Sequence, residues 1–497
     1  MTDAATSVAP PDADIAALLA KLPVPITRIT SDSRQVRQGD AFAAYRGTHR
    51  DGRQFVADAI ERGAAAILWD TQGFSWNRDW KVPHLPIDQL KARLGSIADQ
   101  VYGHPSRELW MIGVTGTNGK TSCAHWIAAG LDAGARRAAV IGTLGNGLWG
   151  SLNAATNTTP DAAELHEMLR QFRREGAEAV AMEVSSHGLH QGRVNGVAFD
   201  VALFTNLSRD HLDYHETMAA YGAAKARLMA WPGLRVGVLN ADDPFGQSLI
   251  DAARGKGRKI LTYGFGAADV TGAQLRATSS GLAFAVETPW GKGEIYTGLM
   301  GAFNAANLLG ALGTLLVSGV ALEEALRFLA NVEAPPGRMQ RLGGNGAPLV
   351  VIDYAHTPDA LDKVLTSLRS AVGVGGELVC VFGCGGDRDR GKRPEMGRVA
   401  ARLADRVIVT SDNPRSEDPG AIVSEIVHGI RDTGNRRYAV ELDRAAAIAT
   451  AIVEAGPGDV VLLAGKGSES YQEDADGQHP FLDADHATRA LASRGER

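Results

Sequence analysis

The sequence predicts an α/β protein of three domains, because the chain is long and its strand-like and helical segments alternate. The chain has 497 residues, whereas an ordinary domain has roughly 150. From Leu109 onward, apolar strand-like runs alternate with helical stretches, which is typical of a mostly parallel sheet. The alternation breaks at residues 334–340 and then resumes. We therefore place the domains at residues 1–106, 107–336 and 337–497.

Each domain has its own pattern of apolar segments. In the first, short apolar runs at 41–47 and 64–70 predict a small α/β unit. In the second, four strand candidates lie at 109–116, 177–186, 201–206 and 236–240, and residues 268–300 alternate as antiparallel strands do. In the third, the strand candidates at 348–355, 377–386, 406–414 and 460–467 run into Gly- or Asp-rich loops. Ligands bind at the carboxyl ends of parallel strands, so these loops are predicted to border a ligand site.

Composition and charge exclude several classes of protein. Hydrophobic residues make up 44% and charged residues 22%, which argues against disorder and fibrous repeats. The 51 Lys and Arg residues and 57 Asp and Glu residues give a net charge of −6, so no overall positive field would attract nucleic acid. The chain has only three cysteines, Cys123, Cys380 and Cys384, and this odd number argues against a disulfide framework. The N-terminus lacks the basic region of a secretory signal. We therefore expect a cytoplasmic protein.

The uncharged segment 295–322 approaches the length of a membrane span. It is rich in Gly and Ala, contains Asn304 and Asn307, and follows a strand-like stretch. These features favour the end of a strand followed by a buried helix, with a membrane span as the weaker alternative.

The most specific local motif runs from Val114 to Thr121, between an apolar strand and a helix. In this setting, Gly116 and Gly119 let backbone N–H groups surround phosphate oxygens, Lys120 neutralises phosphate charge and Thr121 can bind Mg²⁺. The first position is Val114, where the strict pattern has glycine. The alternative interpretation is an ordinary tight turn.

Glu183 lies at the end of one predicted strand and His211 just beyond the next strand of the same sheet. They are therefore expected to converge on one crevice and could bind Mg²⁺. The alternative is that His187, His211 and His215 only form local hydrogen bonds. Lys225 lies in a helical stretch and, taken alone, is interpreted as a solvated lysine.

Two loops of the third domain are ambiguous when read locally. Residues 412–415 (DNPR) are typical of a turn, but the Arg415 guanidinium could also bind a carboxylate through two parallel hydrogen bonds. Residues 383–394 suit either an anion site or a solvated charged loop.

These motifs occur in order along the whole chain, and the sequence resembles the Mur ligases. The shared motifs are SDSRQV, FAAYRGTHRDG, GVTGTNGKTS, NTTPD, MEVSSHGL, FTNLSRDHLDYH, NADD, LMGAFNAANLLGA, PGRM, DYAHTPDAL, FGCGGDRDRGKRP, SDNPRSEDP and AGKG. The resemblance is strongest to the members that add meso-2,6-diaminopimelate to UDP-N-acetylmuramoyl-L-alanyl-D-glutamate in peptidoglycan precursor synthesis. It implies a central phosphate-loop ATPase domain with a mostly parallel sheet and a C-terminal Rossmann-like domain.

The resemblance also implies roles for individual residues. ATP would be bound by Gly116, Thr117, Asn118, Gly119, Lys120, Thr121, Asn307 and Arg338, and Mg²⁺ by Thr121, Glu183 and His211. The UDP-muramoyl dipeptide would be bound by Ser31, Ser33, Asn157, Thr158, Thr159, Ser185, Gln191 and Arg193, with the loop 48–50 at its uridine end. Diaminopimelate would be bound by Arg388, Asp412, Asn413, Pro414, Arg415, Gly465 and Glu469. Lys120, His211 and Lys225 would be catalytic, with Lys225 carbamylated to N6-carboxylysine. Ser468 replaces a histidine that is usual in relatives, which puts the geometry around Glu469 in question.

The implied reaction joins the D-glutamate γ-carboxylate to an amine of diaminopimelate through an acyl phosphate, at the expense of ATP. The implied enzyme is a monomer that uses ATP and Mg²⁺ and binds no nucleic acid. Three alternatives stay open: another ligase of this superfamily, such as a folylpolyglutamate synthase; a phosphate-loop kinase or regulatory NTPase; and a nucleotide-binding scaffold.

Overall fold

The computed structural model describes residues 13–47, 50–278, 281–344 and 346–494. Within these ranges, the strands of the three main sheets come from separate stretches of the chain: 29–87, 110–297 and 340–464. Thr48 and His49, which were predicted to contact the uridine end of the substrate, lie outside the described residues.

The first sheet is parallel, with its strands in sequence order. Its strands are β1 (Ile29–Thr30), β2 (Ala41–Ala44), β3 (Ala66–Asp70) and β4 (His84–Ile87), and the helices of this region are α1 (Ala13–Leu19), α2 (Val56–Glu61) and α3 (Leu90–Val101). The apolar runs that predicted a small α/β unit form β2 and β3. Their fully buried residues Phe42 and Ile67 belong to its core.

The second sheet has a parallel centre with antiparallel strands at both edges. Its strands in chain order are β5 (Trp110–Thr115), β6 (Ala138–Gly142), β7 (Gly145–Leu148), β8 (Ser151–Asn153), β9 (Ala179–Glu183), β10 (Val201–Phe204), β11 (Val236–Asn240), β12 (Ile260–Gly264), β13 (Val270–Thr278), β14 (Gly281–Thr288) and β15 (Gly291–Thr297). Their order across the sheet is β15-β14-β13-β12-β11-β10-β5-β9-β6-β7-β8. The predicted antiparallel strands form β13 to β15, while the β7 and β8 hairpin was not predicted.

Helices cover both faces of this sheet. They are α4 (Lys120–Ala133), α5 (Ala162–Arg174), α6 (Ser186–His190), α7 (Leu212–His215), α8 (Met218–Met229), α9 (Pro244–Arg254), α10 (Ala302–Val317) and α11 (Leu322–Ala330). The uncharged segment 295–322 forms the end of β15 and the buried helix α10, as predicted. Among the described helices, none is both long enough and apolar enough to cross a membrane.

The third sheet is parallel except at one edge. Its strands are β16 (Gln340–Gly343), β17 (Leu349–Asp353), β18 (Leu378–Phe382), β19 (Arg406–Val409), β20 (Tyr438–Val440) and β21 (Val460–Ala464), in the spatial order β16-β17-β21-β18-β19-β20 with β16 antiparallel. Its helices are α12 (Pro358–Arg369), α13 (Lys392–Leu403), α14 (Pro419–Arg431), α15 (Arg444–Glu454) and α16 (Asp483–Ser493). A separate hairpin consists of β22 (Tyr471–Asp474) and β23 (Gly477–Pro480). All four strand candidates of this domain are therefore confirmed.

A fully buried ion pair joins α15 to α16. Arg444 Nε donates to Asp483 Oδ1 at 2.8 Å, and Arg444 Nη2 donates to Asp483 Oδ2 at 2.6 Å. Both side chains are 0% exposed. Nη2 also donates to the carbonyl oxygen of Ala464, at the carboxyl end of β21, at 3.1 Å. The pair therefore anchors both helices beside the predicted ligand edge.

Replacing Arg444 with leucine is expected to lower the free energy of unfolding by about 3–5 kcal/mol, because the Asp483 carboxylate would stay buried without its charge partner. Urea unfolding followed by circular dichroism measures this. The control is Arg437→Leu, which removes an ion pair with Glu377 whose side chains are 60% and 38% exposed. The control substitution is expected to lower the free energy of unfolding by at most about 1 kcal/mol. Equal losses in the two variants would contradict the role of the buried pair.

Candidate active site

A polar cavity of about 360 Å³ lies between the carboxyl edges of the second and third sheets. The predicted residues that line it are Thr117, Asn118, Gly119, Lys120, Thr121, Asn157, Thr158, Thr159, Glu183, Ser185, Arg193, His211, Lys225, Arg338 and Arg388. Tyr354 and His356, which follow β17, also line it. Residues from two sheets thus meet in one cleft.

The phosphate loop connects β5 to the first turn of α4. Gly116 has φ of 151°, and a Cβ atom there would lie 1.9 Å from Thr205 Oγ1, so a larger residue would displace the loop. Lys120 Nζ donates to the carbonyl oxygens of Gly116 at 3.0 Å and Thr117 at 2.8 Å. The ammonium group thus lies at the N-terminus of α4, where unpaired N–H groups favour an anion.

Asn307 on α10 lies directly against this loop, although it does not line the cavity. A Cβ atom on Gly119, whose φ is 86°, would lie 2.4 Å from Asn307 Oδ1. The carbonyl oxygen of Asn307 is also 3.6 Å from Cys123 Sγ on α4. The phosphate loop and α10 are therefore in close contact.

Glu183 and Thr121 meet at the base of the cavity. Thr121 Oγ1 donates to Glu183 Oε2 at 3.0 Å, and the backbone N–H of Thr143 donates to Glu183 Oε1 at 2.8 Å. Arg338 Nη2 donates to Thr121 Oγ1 at 3.0 Å. A carboxylate and a hydroxyl at this spacing are oxygen donors of the kind that Mg²⁺ prefers.

The described residues contain no group of three or more His, Cys, Asp or Glu side chains arranged to hold a metal ion. Mg²⁺ usually keeps several waters and binds through one or two carboxylates together with substrate phosphates. The donors around Glu183 fit that mode of binding.

His211 lies beside two residues that sequence analysis missed, Asp210 and His356. Asp210 Oδ2 is 3.3 Å from His211 Nε2 and 3.4 Å from His356 Nε2, so this carboxylate bridges the second and third domains. Burial alone would raise the pKa of Asp210, but the hydrogen bond and charge of His356, aided by His211 and Lys392, hold it well below its usual range. Burial lowers the pKa of His211 to about 3, against the opposing effect of Asp210. The His211 imidazole is therefore neutral at neutral pH, as a metal ligand must be.

Lys225 on α8 is buried, so its interpretation as a solvated lysine is wrong. Its Nζ donates to the carbonyl oxygen of Gly116 at 2.6 Å and lies 4.4 Å from the centre of the Tyr221 ring. Burial, together with the charge of Lys120, lowers the pKa of Lys225 well below its ordinary value. The shift raises the share of the amine that is in its neutral, nucleophilic form.

Four of the residues predicted to bind the dipeptide, namely Thr159, Ser185, Gln191 and Arg193, form one hydrogen-bonded group near Glu183. Thr159 Oγ1 donates to the carbonyl oxygen of Glu183 at 2.9 Å, and Ser185 Oγ accepts from the Gly188 N–H at 3.0 Å. Arg193 Nη1 donates to the carbonyl oxygen of Thr159 at 2.9 Å, and its Nε donates to Gln191 Oε1 at 3.0 Å. Arg193 is thereby held against the cavity wall.

Ser31, Ser33 and Gln191 do not line this cavity. Ser31 Oγ donates to Asp161 Oδ2 at 3.4 Å, which joins the first domain to the start of α5. Ser33 is buried in a short 3₁₀ turn after β1. Ser31 and Ser33 thus lie on the first domain, beyond the cavity itself.

The residues predicted to bind diaminopimelate, apart from Arg388, form a second cluster behind Tyr354. Asn413 Nδ2 donates to Glu469 Oε2 at 2.8 Å, and the buried Lys466 donates to Glu469 Oε2 at 3.2 Å. Tyr354 Oη donates to Glu469 Oε1 at 3.4 Å, and the Arg338 guanidinium lies 4.3 Å from the centre of the Tyr354 ring. Tyr354 thus separates this cluster from the cavity and contacts both.

The loop that contains Asp412, Pro414 and Arg415 closes tightly on neighbouring backbone. A Cβ atom on Gly465, whose φ is 110°, would lie 2.6 Å from Asp412 Oδ2, and one on Gly386 would lie 1.9 Å from the Pro414 carbonyl oxygen. Arg415 itself has a φ of 53°. Its Nε donates to Glu473 Oε2 at 3.1 Å, a contact that the sequence did not predict.

Comparison with known proteins gives matches over almost the whole chain. Residues 25–102 match the catalytic domain model of the Mur ligase family, residues 114–315 the Mur ligase middle domain, and residues 337–467 the Mur ligase glutamate ligase domain. The chain is 52% identical over 482 residues to the UDP-N-acetylmuramoyl-L-alanyl-D-glutamate–2,6-diaminopimelate ligase of Chromobacterium violaceum, covering 97% of each chain. It is 49% identical over 484 residues to the ligase of the same name from Janthinobacterium, covering 95% of each.

A solved structure of a UDP-N-acetylmuramoyl-L-alanyl-D-glutamate–2,6-diaminopimelate ligase is also similar, with 38% identity and a TM-score of 0.66. The match covers 95% of this chain and 96% of that one. The predicted three-domain α/β fold is thereby confirmed.

Proposed function

The chain belongs to the Mur ligase family, and we propose that it is the ATP-dependent ligase that adds meso-2,6-diaminopimelate to UDP-N-acetylmuramoyl-L-alanyl-D-glutamate in peptidoglycan precursor synthesis. The observation that carries the proposal is the cleft in which Lys120 and Glu183 of the second domain face Tyr354 and Arg388 of the third. The relatives at 52% and 49% identity, which have this activity in their names, support it.

The reaction takes place in two steps. An oxygen of the D-glutamate γ-carboxylate attacks the γ-phosphorus of ATP, which forms an acyl phosphate and releases ADP. A neutral amine of diaminopimelate then attacks the acyl carbon, and the tetrahedral intermediate collapses to an amide as phosphate leaves and the amine loses a proton. In the phosphoryl-transfer step, the protein contributes mainly by positioning the reactants and neutralising the charge of the phosphates. The loop from Gly116 to Thr121 cradles the phosphates, with Lys120 as the cation beside them.

Thr121, Glu183 and His211 are the residues that would hold Mg²⁺, with Arg338 bonded to the same threonine hydroxyl. The ion would neutralise charge on the phosphate oxygens. Asp210 acts through His211: it fixes the imidazole and links it to His356 on the third domain. We assign Asp210 and His356 as positioning residues.

Lys225 is proposed to react with carbon dioxide, so that its neutral amine nitrogen bonds to carbon and one proton is released. The product, an N6-carboxylysine, is an anion. The charge of Lys120 disfavours a cation at Lys225, whereas it would attract the carbamate anion. The carbamate would support the Mg²⁺ site.

The two substrates that are joined are proposed to bind on opposite sides of the cleft, the muramoyl dipeptide on the second domain and diaminopimelate on the third. Asn157, Thr158, Thr159, Ser185, Gln191 and Arg193 hold the muramoyl dipeptide, with Ser31 and Ser33 toward the uridine diphosphate. Asp412, Asn413, Pro414, Arg415, Gly465, Glu469 and Arg388 receive diaminopimelate. Asn307 and Arg338 hold the nucleotide. The proposal includes a monomeric enzyme that acts in the cytoplasm.

Phosphate release from ATP, measured with each substrate omitted in turn, tests this function. The complete mixture with diaminopimelate is expected to release phosphate and to yield a product heavier by one diaminopimelate minus water. Omitting the nucleotide-sugar dipeptide or the amino acid is expected to stop the release. Phosphate release that continues without either acceptor would favour an NTPase, and ADP formation without phosphate release would favour a kinase. Faster release with lysine or glutamate would favour another ligase.

A further inference from the structure

The β22 and β23 hairpin lies along the loop 412–415. Gln472 Nε2 donates to the carbonyl oxygen of Asp412 at 2.7 Å, and the Glu473 N–H donates to Asn413 Oδ1 at 3.0 Å. The Arg415 N–H donates to the carbonyl oxygen of Glu473 at 3.0 Å. Three successive contacts, of which the last joins two backbone groups, therefore fix this strand to the loop and hold Glu473 beside Arg415.

The Arg415 guanidinium is engaged by groups of the chain itself. Nε donates to Glu473 Oε2 at 3.1 Å, and Nη1 donates to the carbonyl oxygen of Gly386 at 2.9 Å. The side chains of Arg415 and Glu473 are 21% and 32% exposed, so solvent reaches the pair. A second carboxylate that approached Arg415 would have to share the guanidinium with Glu473 or displace it.

We propose that Glu473 is a specificity-determining residue, which occupies Arg415 in the absence of the amino-acid substrate and thereby limits the preference for diaminopimelate over lysine. This inference rests on the proposed function, in which Arg415 binds the carboxylate that lysine lacks. Diaminopimelate must compete with Glu473 for the guanidinium, which weakens its binding. Lysine has no second carboxylate and does not compete with Glu473 for the guanidinium. When lysine is bound, Arg415 stays paired with Glu473, so the enzyme does not pay for an unpaired Arg415 cation. Both effects reduce the preference of the enzyme for diaminopimelate over lysine.

The variant Glu473→Gln tests this, because glutamine keeps the shape and the backbone bonds but removes the competing charge. Partly exposed ion pairs are weak, so the expected change is about two- to fivefold. The KM for diaminopimelate is expected to fall by that factor with little change in kcat, while kcat/KM for lysine stays the same or falls. The ratio of the two kcat/KM values therefore rises.

The matched control is Asp474→Asn, on the same strand, whose carboxylate pairs with His479 at 3.0 Å. It is expected to leave the KM for diaminopimelate unchanged. Thermal unfolding of both variants reports whether the hairpin is intact. In an Arg415→Ala background, Glu473→Gln is expected to have no effect, because its only route to the substrate is through that guanidinium.

The outcomes distinguish a failure of the role of Glu473 from a failure of the proposed role of Arg415. A higher KM for diaminopimelate in Glu473→Gln, or no change while Arg415→Ala impairs diaminopimelate use, overturns the role of Glu473 alone. If Arg415→Ala leaves diaminopimelate use unchanged, the assignment of Arg415 in the proposed function fails first. An equal effect of Glu473→Gln with and without Arg415 also overturns the inference.

Discussion

Replacing Lys225 with alanine is expected to lower kcat by roughly 10²–10³-fold, the cost typical of losing one preorganised electrostatic group at a reacting centre. Lys225 Nζ contacts the Gly116 carbonyl of the phosphate loop, and its charge interacts with that of Lys120. The variant would lose the proposed carbamate and leave a gap beside the phosphates. Bicarbonate, a small anion of similar shape, is expected to restore part of the activity. Steady-state kinetics with and without added bicarbonate measure both effects.

The control for this prediction is Lys259→Ala, since Lys259 is exposed and precedes β12. It is expected to keep full activity and to be insensitive to bicarbonate. Full activity in Lys225→Ala would remove Lys225 from the mechanism. Loss of activity without any response to bicarbonate would instead point to the lysine amine itself.

Replacing Arg415 with alanine is expected to lower kcat/KM for diaminopimelate by about 10- to 150-fold, because a hydrogen-bonded charge contact of this kind contributes about 1.5–3 kcal/mol. ATP binding is expected to survive, since Arg415 lies behind Tyr354 and does not line the cavity that contains Lys120. The readouts are the KM values for diaminopimelate and ATP, measured in the same preparation.

The matched control is Arg402→Ala, an exposed arginine on α13 of the same domain. It is expected to leave both KM values unchanged. The assignment of Arg415 would be contradicted by unchanged diaminopimelate kinetics. A parallel loss of ATP binding would indicate a general disturbance of the third domain.

The sequence was sufficient to predict the elements that position the site. Strand periodicity located β5, β9, β10 and β11, and the setting of the Gly116–Thr121 loop between a strand and a helix identified the phosphate loop. The fold brings Glu183 together with Thr121 as predicted, because β5 and β9 are neighbouring parallel strands with Val114 opposite Glu183. Local sequence patterns and the order of the strands are enough to predict contacts between the ends of neighbouring strands.

Contacts between domains, and contacts between distant segments of one domain, could not be predicted in this way. Asp210 precedes His211 and His356 follows β17, so both lay at predicted strand ends, but nothing in the sequence indicates that they meet. The burial of Lys225 depends on how α8 packs against the phosphate loop. The pairing of Arg415 with Glu473 depends on a hairpin whose short strands carry no apolar pattern. The domain boundaries and the substrate roles of single residues stay predictions.

The transfer of an oxygen atom from substrate to phosphate tests the central claim most directly. With both oxygens of the D-glutamate γ-carboxylate labelled with ¹⁸O, the acyl phosphate carries one labelled oxygen between carbon and phosphorus. Attack by the amine of diaminopimelate then releases that oxygen with the phosphate. Mass spectrometry is expected to find one ¹⁸O atom in each phosphate and one in the new amide. Unlabelled phosphate, formed at the same rate as the amide, would contradict the acyl-phosphate ligase that we propose.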